Sequence, residues 1–523
     1  MATPSDKLAT SLIALKQLQD EGLVAIRSSQ LSRTHRERLL NSGFLVEVMK
    51  GWYIPARPDE TQGESTAWYA SFWAFSSSYL NERFGAEWCL SPEQSLNLLT
   101  GDWTVPRQLM VRAPRGGNKP LPLPHQTSIF DIRMDLPPAS DLEVRDGIRL
   151  YALSSALVTV GPTAFQTNPI TLRTALAMVR DASDVLGRLL DGGHSVIAGR
   201  LAAAFRSIGS EQIANDIVGA MRAAGYVINE ANPFTDSQQT PISLQETSPY
   251  VNRLGMTWQR MREQVLDHFP RPPQTPVDKG TYLERVDDVY VTDAYHSLSI
   301  EGYRVSTELI ERVRSGSWNP DNHAADMNHC DALAARGYWL AFQRVKQSLG
   351  SILDGKNAGM VAQQDHGSWY RELFAPSVTA GILRPGDLAG YRNGPVYIRR
   401  SKHVPPRHEA VRELMPAFFR LLQEESDPAV RVVLGHFVFV YIHPYFDGNG
   451  RMGRFMMNAM LAAGGYQWTV VPVEDRSDYM AALETASVEG NLAPFSQFIG
   501  QLVDRTTAMI GGSAPAARAP NGS

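Results

Sequence analysis

The sequence HPYFDGNGRMGRF, residues 443–455, decides how the chain is interpreted. The run before it, AVRVVLGHFVFVYI (429–442), is almost wholly apolar, and Pro444 cannot continue a helix through it. The segment after it, RMGRFMMNAMLAAGG (451–465), is compatible with a helix that stops at the paired glycines. We therefore predict a glycine-rich loop that joins two buried helices and leads into the N-terminus of the second.

This loop has the features of an anion site. Gly448 and Gly450 allow the backbone to approach a ligand and to point its amides at it. The positive end of the helix dipole faces the same place. Arg451 and Arg454 are three residues apart, so they share a helix face and can bind two phosphate groups.

The remaining polar residues of the loop suggest chemistry on a phosphate. Asp447 supplies one carboxylate, and one carboxylate together with phosphate oxygens is a usual way to hold Mg²⁺. His443 can take a proton from an attacking hydroxyl, and Asn449 can donate to a phosphate oxygen. The alternative is a simple turn with a buried histidine. It leaves the aspartate, the histidine and the two aligned arginines without a reason to lie beside two glycines.

At these residues the sequence closely resembles the Fic (Fido) family, whose motif is H-P-F-x-(D/E)-G-N-G-R-x-x-R. Only Tyr445 departs from it, with one aromatic ring in place of another. The resemblance spans about 250–505 and implies transfer of AMP from ATP to a Tyr, Ser or Thr hydroxyl of a protein. It implies His443 as the general base and Asp447 as the Mg²⁺ ligand. It assigns the phosphates to the following residues: Gly448, Asn449, Gly450, Arg451 and Arg454.

Two further segments are similar to parts of that family. LAGYRNGPVYIRRSKHVPP (388–406) looks like the family's flap, a small β-hairpin. Its extended residues, Val396, Tyr397 and Ile398, would dock a target by strand addition. An ordinary surface hairpin is the alternative.

SLSIEG (297–302) matches the family's inhibitory pattern, (S/T)-x-x-x-E-(G/N), through Ser297, Glu301 and Gly302. Glu301 would end a helix, where a carboxylate is unfavourable by about 0.3–1 kcal/mol. The resemblance implies Arg454 as the partner that compensates it, which would make the enzyme autoinhibited. A solvated glutamate before a turn is the alternative.

Length and composition limit the class of protein. At 523 residues with 43% apolar content, the chain is long enough for about three domains with sizeable cores. A net charge of −4 excludes a chain that is basic throughout, and two cysteines exclude a disulfide framework. The longest apolar run, 437–442, is far short of the roughly 20 residues that span a membrane. We expect no signal peptide, no membrane partner and a cytoplasmic location.

Residues 1–58 have the pattern of a winged helix-turn-helix. Leucines at helical spacing end at Gly22, a short second helix would hold Leu31, and a third helix ends at Gly43. A hairpin follows around Gly51. The segment holds 8 Lys and Arg against 5 Asp and Glu, hence a net charge of +3. The DNA-phosphate contacts we predict come from three arginines: Arg33, Arg36 and Arg38. A protein-contact domain is the alternative.

The wider N-terminal half, about 8–220, diffusely resembles abortive-infection-type antitoxin regulators. We therefore predict a mainly α chain, with an all-α Fic core and a hairpin flap preceded by an α/β half led by the winged helix. The predicted parts are 1–58, the winged helix; 59–231, the α/β regulator-like domain; 232–249, a linker; 250–510, the Fic domain; and 511–523, a disordered tail.

Three functional interpretations follow from these patterns. The first is an autoinhibited protein adenylyltransferase that uses ATP, Mg²⁺ and a protein target. The second is a DNA-binding regulator whose C-terminal half only senses nucleotide. The third is Fic chemistry with another donor, or removal of AMP by means of Glu301. Whether the chain forms a homodimer, and which protein it modifies, are left open.

Overall fold

A computed structural model describes residues 3–58, 65–234, 248–273, 278–318 and 329–510. The chain forms two compact units. The first comprises the residues up to Met256 together with Tyr397–Val404, and the second comprises 257–396 and the residues from Pro405 onward. The prediction of a mainly α chain is confirmed. Most of the predicted linker, 235–247, and the predicted disordered tail, 511–523, lie outside the described residues.

The first unit begins with a small helical and β-stranded head. Helix α1 (Pro4–Asp20) has a capping box between Thr3 and Asp6, and α2 (Arg33–Asn41) is capped by the Ser32 hydroxyl. Three short strands form a sheet in the order β1-β3-β2. Their bounds are β1 (Ile26–Arg27), β2 (Leu45–Met49) and β3 (Trp52–Pro55). The hairpin around Gly51 therefore lies where the sequence predicts it.

The predicted short helix around Leu31 is a turn in the structure. Strand β1 pairs with β3 at Ile26 and Arg27, and the amide of Ser28 donates to the carbonyl of Gly51 at 3.0 Å. These bonds hold the backbone extended up to the turn, so too few residues remain before α2 for a second helix.

The rest of the first unit is mixed α/β. Helix α3 (Thr66–Phe84) packs its aromatic face on a four-stranded sheet in the order β4-β5-β7-β6, in which only β5 and β7 run parallel. The strands of this sheet, with the helix between the first two, are β4 (Cys89–Leu90), α4 (Pro92–Leu99), β5 (Gln108–Ala113), β6 (Pro120–Leu123) and β7 (Thr127–Arg133). Strands β8 (Leu142–Arg145) and β9 (Ile148–Tyr151) form a separate antiparallel pair. A second core lies among the helices α5 (Leu153–Thr159), α6 (Ala164–Thr167), α7 (Pro169–Met178), α8 (Ser183–Asp191), α9 (Ser195–Ser207) and α10 (Glu211–Ala223).

The regular elements of the second unit are all helices within its described residues. The division between the units falls within the first of its helices. They are α11 (Pro249–His268), α12 (Lys279–Ile300), α13 (Thr307–Arg314), α14 (His329–Leu353), α15 (Ala358–Thr379), α16 (His408–Glu424), α17 (Pro428–Ile442), α18 (Asn449–Ala463), α19 (Arg476–Glu484) and α20 (Ala493–Ile510). Helices α17 and α18 are almost fully buried, as their apolar sequences predict, and the loop between them holds the glycine-rich motif.

The flap is extended but does not form the predicted hairpin. Residues 389–406 contain neither helix nor strand. Pro395, Pro405 and Pro406 have no amide hydrogen to donate to a ladder, which explains why the segment does not pair with itself. Within the described ranges, no helix combines the length and the apolar character that crossing a bilayer requires.

The three arginines of the head differ in their contacts. Arg38 donates to the carbonyl of Lys7 at 2.8 Å and to the hydroxyl of Ser11 at 2.9 Å, and so joins α2 to α1. Arg36 donates to the carbonyl of Ser28 at 2.8 Å. Arg33 is 84% exposed and contacts Glu37 on its own helix. Two of the three predicted DNA contacts therefore hold the head together.

We predict that Arg38→Ala loosens the head and that Arg33→Ala does not. Removing charge-assisted hydrogen bonds between two helices costs about 1–2 kcal/mol, which corresponds to exchange of the α1 amides roughly 5- to 30-fold faster. Hydrogen–deuterium exchange on peptides from residues 3–20 measures this. Equal exchange in both variants would contradict the assigned role of Arg38.

Candidate active site

The site begins where α17 ends, at His443. This residue is in the left-handed conformation, with φ of 53°, and Pro444 follows it. Its ring nitrogen Nδ1 lies 3.2 Å from the carbonyl oxygen of Val440. Since a carbonyl can only accept, Nδ1 carries the proton in this contact and Nε2 is the nitrogen with a lone pair. This contact therefore fixes the orientation of the His443 ring.

The loop is held by the side chain of Asn449. Its Oδ1 accepts from the amide of Tyr445 at 3.0 Å, and its Nδ2 donates to the carbonyl of the same residue at 2.8 Å. The ring of Tyr445 stacks on Tyr370, with centroids 3.7 Å apart. The sequence suggested that the Asn449 carboxamide donates to phosphate. In the structure this group closes the loop, so the backbone amide of Asn449 is the group that suits a phosphate.

Two glycines allow close approach around the N-terminus of α18. Gly448 has φ of 81°, and a Cβ on it would lie 2.8 Å from the ring of Phe374. A Cβ on Gly450 would lie 2.3 Å from Oε1 of Glu301. A larger residue would be strained at Gly448, and at Gly450 it would have to displace the Glu301 side chain. The first-turn amides of a helix have no partner within it, so this N-terminus suits an anion.

Asp447 lies at the exposed edge of the loop. Its side chain is 65% exposed, its Oδ1 accepts from the amide of Gly448 at 2.6 Å, and its Oδ2 lies 3.4 Å from Arg451. Within the described part of the chain, no group of three or more His, Cys, Asp or Glu residues is arranged to hold a metal ion. A cation here would therefore need ligands other than the protein.

Arg451 is buried between two aromatic rings. It is 1% exposed, and its guanidinium carbon lies 5.2 Å from the ring centroid of Tyr303 and 5.0 Å from that of Phe374. Its Nε has no hydrogen-bond partner among the described residues. A cavity of about 540 Å³ adjoins Arg451 and Asp447 and is lined by the same two aromatic rings.

Arg454 lies deeper and is held by α12. Its Nε donates to the Ser297 hydroxyl at 2.9 Å, and its Nη2 donates to the Ser297 carbonyl at 3.0 Å and to Oε1 of Glu301 at 2.7 Å. The Arg454 side chain is 4% exposed and that of Glu301 is 30% exposed. In the structure, the arginine predicted to bind the outer phosphates is therefore bound to a carboxylate.

Glu301 is the residue that caps the C-terminus of α12, and Gly302 follows it with φ of 93°. Burial would raise the pKa of the Glu301 carboxyl, but the charges of Arg454 and Arg451 lower it below its usual value. Arg476 donates to the carbonyl of Ile300 at 2.7 Å and so binds the end of the same helix. Glu301 is therefore ionised and fixed at neutral pH.

A polar layer lies beneath this ion pair. Asp293 on α12 is 4% exposed and accepts from the hydroxyl of Tyr338 at 2.6 Å. Burial raises its pKa to about 6, although Tyr338, Trp468 and Arg454 act in the opposite direction. The layer is continued by Tyr479, whose hydroxyl lies 2.7 Å from Nε2 of His436. Arg454 is thus surrounded by groups that orient it.

The other predicted site residues belong mostly to the first unit. Val396 is part of the second unit, whereas Tyr397 and Ile398 are counted with the first unit. Arg33, Arg36 and Arg38 lie in the head. Docking by the flap and DNA binding by the head stay predictions.

Comparison with known proteins agrees with this geometry. Residues 364–461, which hold α17, the loop and most of α18, match the model of the Fic/DOC family. This part of the chain is therefore similar to the Fic/DOC family, as the motif indicated.

Curated relatives include the protein adenylyltransferase Fic of Drosophila melanogaster, 29% identical over 231 residues, which are 43% of each chain. The protein of the same name from Drosophila grimshawi is 29% identical over 223 residues, 42% of each. The chain thus spans less than half the length of these relatives. Among solved structures, Fic-1 from C. elegans matches at 17% identity, with a TM-score of 0.36, over 66% of this chain and 98% of that one.

The sequence did not reveal several residues of the site. Tyr303, Phe374 and Tyr370 lie in segments without a motif, and only their position beside Arg451 and Tyr445 makes them part of the site. Tyr303 has a weak signal, since it follows Glu301 by two residues. Nothing in the sequence singles out Asp293 or Arg392.

We predict that Asn449→Asp weakens both the fold and ATP binding. A carboxylate cannot donate to the carbonyl of Tyr445 and repels it, which costs about 1–3 kcal/mol. The loop amides then lose their arrangement, so ATP affinity should fall about tenfold. Calorimetric melting and titration with ATP measure the two effects. The matched control is Asn357→Asp, which keeps its cap on α15 but likewise loses a donor to a backbone carbonyl, that of Gln423. It should lower the melting temperature and leave ATP affinity unchanged. Unchanged ATP affinity in Asn449→Asp would contradict the assigned role of the side chain.

Proposed function

We propose that the chain transfers AMP from ATP to a hydroxyl side chain of a protein, and that Glu301 restrains this activity. The observation that carries the proposal is the meeting of three groups in one loop and helix: a histidine whose Nδ1 contacts a backbone carbonyl, a helix N-terminus opened by glycines, and two buried arginines. The adenylyltransferase names of the relatives support the same chemistry.

The transfer step follows from this geometry. Nε2 of His443 takes the proton of the target hydroxyl as its oxygen attacks the α-phosphorus of ATP. A new P–O bond forms to the target, the bond from the α-phosphorus to the bridging oxygen breaks, and pyrophosphate leaves. The amides at the N-terminus of α18 stabilise charge on the α-phosphate, and Arg451 binds the departing phosphates. The products are the AMP-modified protein and pyrophosphate.

Asp447 fits a magnesium site of the usual kind for nucleotides. It is exposed, stands alone and lies at the edge of the loop, so ATP phosphate oxygens and water would complete the coordination. Bound Mg²⁺ would neutralise charge on the phosphates during transfer. The protein contributes Asp447 as the ligand and Arg451 to orient the same phosphates.

The restraint arises because Glu301 and the outer phosphates need the same arginine. Ser297 and Glu301 together occupy Nε and Nη2 of Arg454. Glu301 also lies so close to Gly450 that its negative charge would repel a phosphate there. ATP then binds with its α-phosphate displaced from the line of attack, and positioning supplies most of the catalysis in such transfers.

The alternatives are weaker. A nucleotide sensor that regulates DNA needs no oriented base, and Arg36 and Arg38 are engaged inside the head. Transfer from another nucleotide donor, or removal of AMP by means of Glu301, would use the same loop. The loop residues are suited to phosphates and do not select a nucleobase. We propose ATP as the donor because the relatives are named adenylyltransferases. DNA binding stays a prediction, and whether the chain forms a homodimer stays open.

We predict that Glu301→Gly raises AMP transfer about 5- to 150-fold, the usual range for coupling between two sites. The variant frees Arg454 for ATP and removes the like charge beside Gly450. The measurement is transfer of α-labelled AMP to the chain itself or to lysate proteins. Adding His443→Ala to this variant should lower transfer about 10²- to 10⁴-fold while ATP still binds. Equal transfer by wild type and Glu301→Gly, with His443 shown to be required, would refute the restraint.

We predict that Asp447→Ala abolishes the dependence of transfer on Mg²⁺ together with the transfer itself. In the Glu301→Gly background, the rate should fall to a low value that added Mg²⁺ does not raise. The control is Asp354→Ala, which removes an exposed carboxylate that pairs with Lys279 at 2.6 Å. Full Mg²⁺-dependent transfer by Asp447→Ala would show that the cation is held elsewhere.

A further inference from the structure

Arg392 is a buried arginine that donates to several backbone carbonyls. It is 1% exposed. Its Nε donates to the carbonyl of His443 at 2.8 Å, and its Nη2 lies 3.4 Å from that of Ile442. Its own backbone amide donates to the carbonyl of Pro444 at 2.9 Å. One residue therefore contacts three consecutive carbonyls at the entrance of the catalytic loop.

The same side chain holds both ends of a long loop. Its Nη1 donates to the carbonyl of Gly394 at 3.1 Å, and its Nη2 donates to the carbonyl of Pro406. These two residues bound the extended segment 395–405, which belongs to the predicted flap. The base of the flap and the entrance of the catalytic loop are thus joined through one guanidinium.

The contacts meet a need created by the local sequence. The last carbonyls of a helix have no partner within it, and α17 ends inside the core. A cation at this end is favourable because the helix dipole is negative there. His443 also adopts a left-handed conformation, which costs a residue with a side chain roughly 1–2 kcal/mol and persists only when its surroundings hold it. The bond to its carbonyl is one such restraint.

We propose that Arg392 is a positioning residue for His443. It holds the backbone that orients the imidazole. It also joins that backbone to Gly394 and Pro406, the residues on either side of segment 395–405. The positions of the general base and of the target-docking segment therefore depend on the same guanidinium. The part of this inference that concerns catalysis rests on the proposed function, in which His443 is the general base. Its structural part, the joint restraint of two loops, stands on the contacts alone.

The test uses the full chain with Glu301→Gly as the parent. Arg392→Lys keeps the charge but cannot reach all of the carbonyls at once. The rate of transfer per ATP-binding site should fall about 10²-fold, which is the effect expected from moving a catalytic group by about 1 Å. The KM for ATP should change less than about threefold. The dependence of kcat on pH that comes from the base should flatten, since a misplaced base no longer limits the residual rate.

The matched control is Arg262→Lys. Arg262 holds the other end of α17, where it pairs with Glu425 at 3.0 Å, just before the helix begins. A merely structural role for Arg392 would reduce the number of ATP-binding sites and leave the rate per site unchanged, as the control should. That result would overturn the proposal.

Hydrogen exchange separates this proposal from the proposed function. If the parent transfers no AMP, the proposed function fails, yet peptides covering 394–406 and 442–449 should still both exchange faster in Arg392→Lys than in the parent. Faster exchange in only one of the two segments, or in neither, would refute the joint restraint whatever the activity.

Discussion

The Arg454 guanidinium is 4% exposed and has the Glu301 carboxylate beside it at 2.7 Å, so the buried charge is paired. The rest of the site is arranged around this pair. Ser297 orients the guanidinium, Asp293 and Tyr338 lie beneath it, and Arg476 holds the end of the helix that carries Glu301. A phosphate can replace the carboxylate as the partner of Arg454, but both cannot occupy that place. In the proposed function, Arg454 therefore pairs with Glu301 when the enzyme is restrained and with phosphate when it transfers AMP.

Helices α17 and α18 and the loop between them confine the competition between Glu301 and phosphate to a small region. Both helices are buried, so the loop between them has little freedom, and Asn449 closes it from within. His443 at its entrance, the amides at its exit and Arg454 one turn further along α18 are thus fixed relative to one another. Glu301 comes from a distant part of the sequence, and its carboxylate pairs with Arg454 and lies close to Gly450. A restraint of this kind can be released without rebuilding the catalytic loop.

The sequence predicted the parts of the site that depend on local pattern. Three features follow from residue spacing alone: the loop, the helix N-terminus and the glutamate at a helix end. The structure has each of them at the expected residues. The side-chain role of Asn449 could not be predicted, because the same carboxamide serves a phosphate or a backbone. Arg392 and Asp293 matter through contacts with residues remote in sequence. The flap lacks its hairpin because prolines remove donors, and the turn at Leu31 reflects pairing of β1 with β3, which outweighs local helix propensity.

The central claim is that Glu301 acts through Arg454, and a double-mutant cycle on the transfer rate tests it most directly. Four proteins are compared: wild type, Glu301→Gly, Arg454→Ala and the double variant. The account predicts strong activation by Glu301→Gly when Arg454 is present and almost none when it is absent, so that the double variant resembles Arg454→Ala. The same activation in both backgrounds would contradict it, since Glu301 would then restrain the enzyme without this arginine.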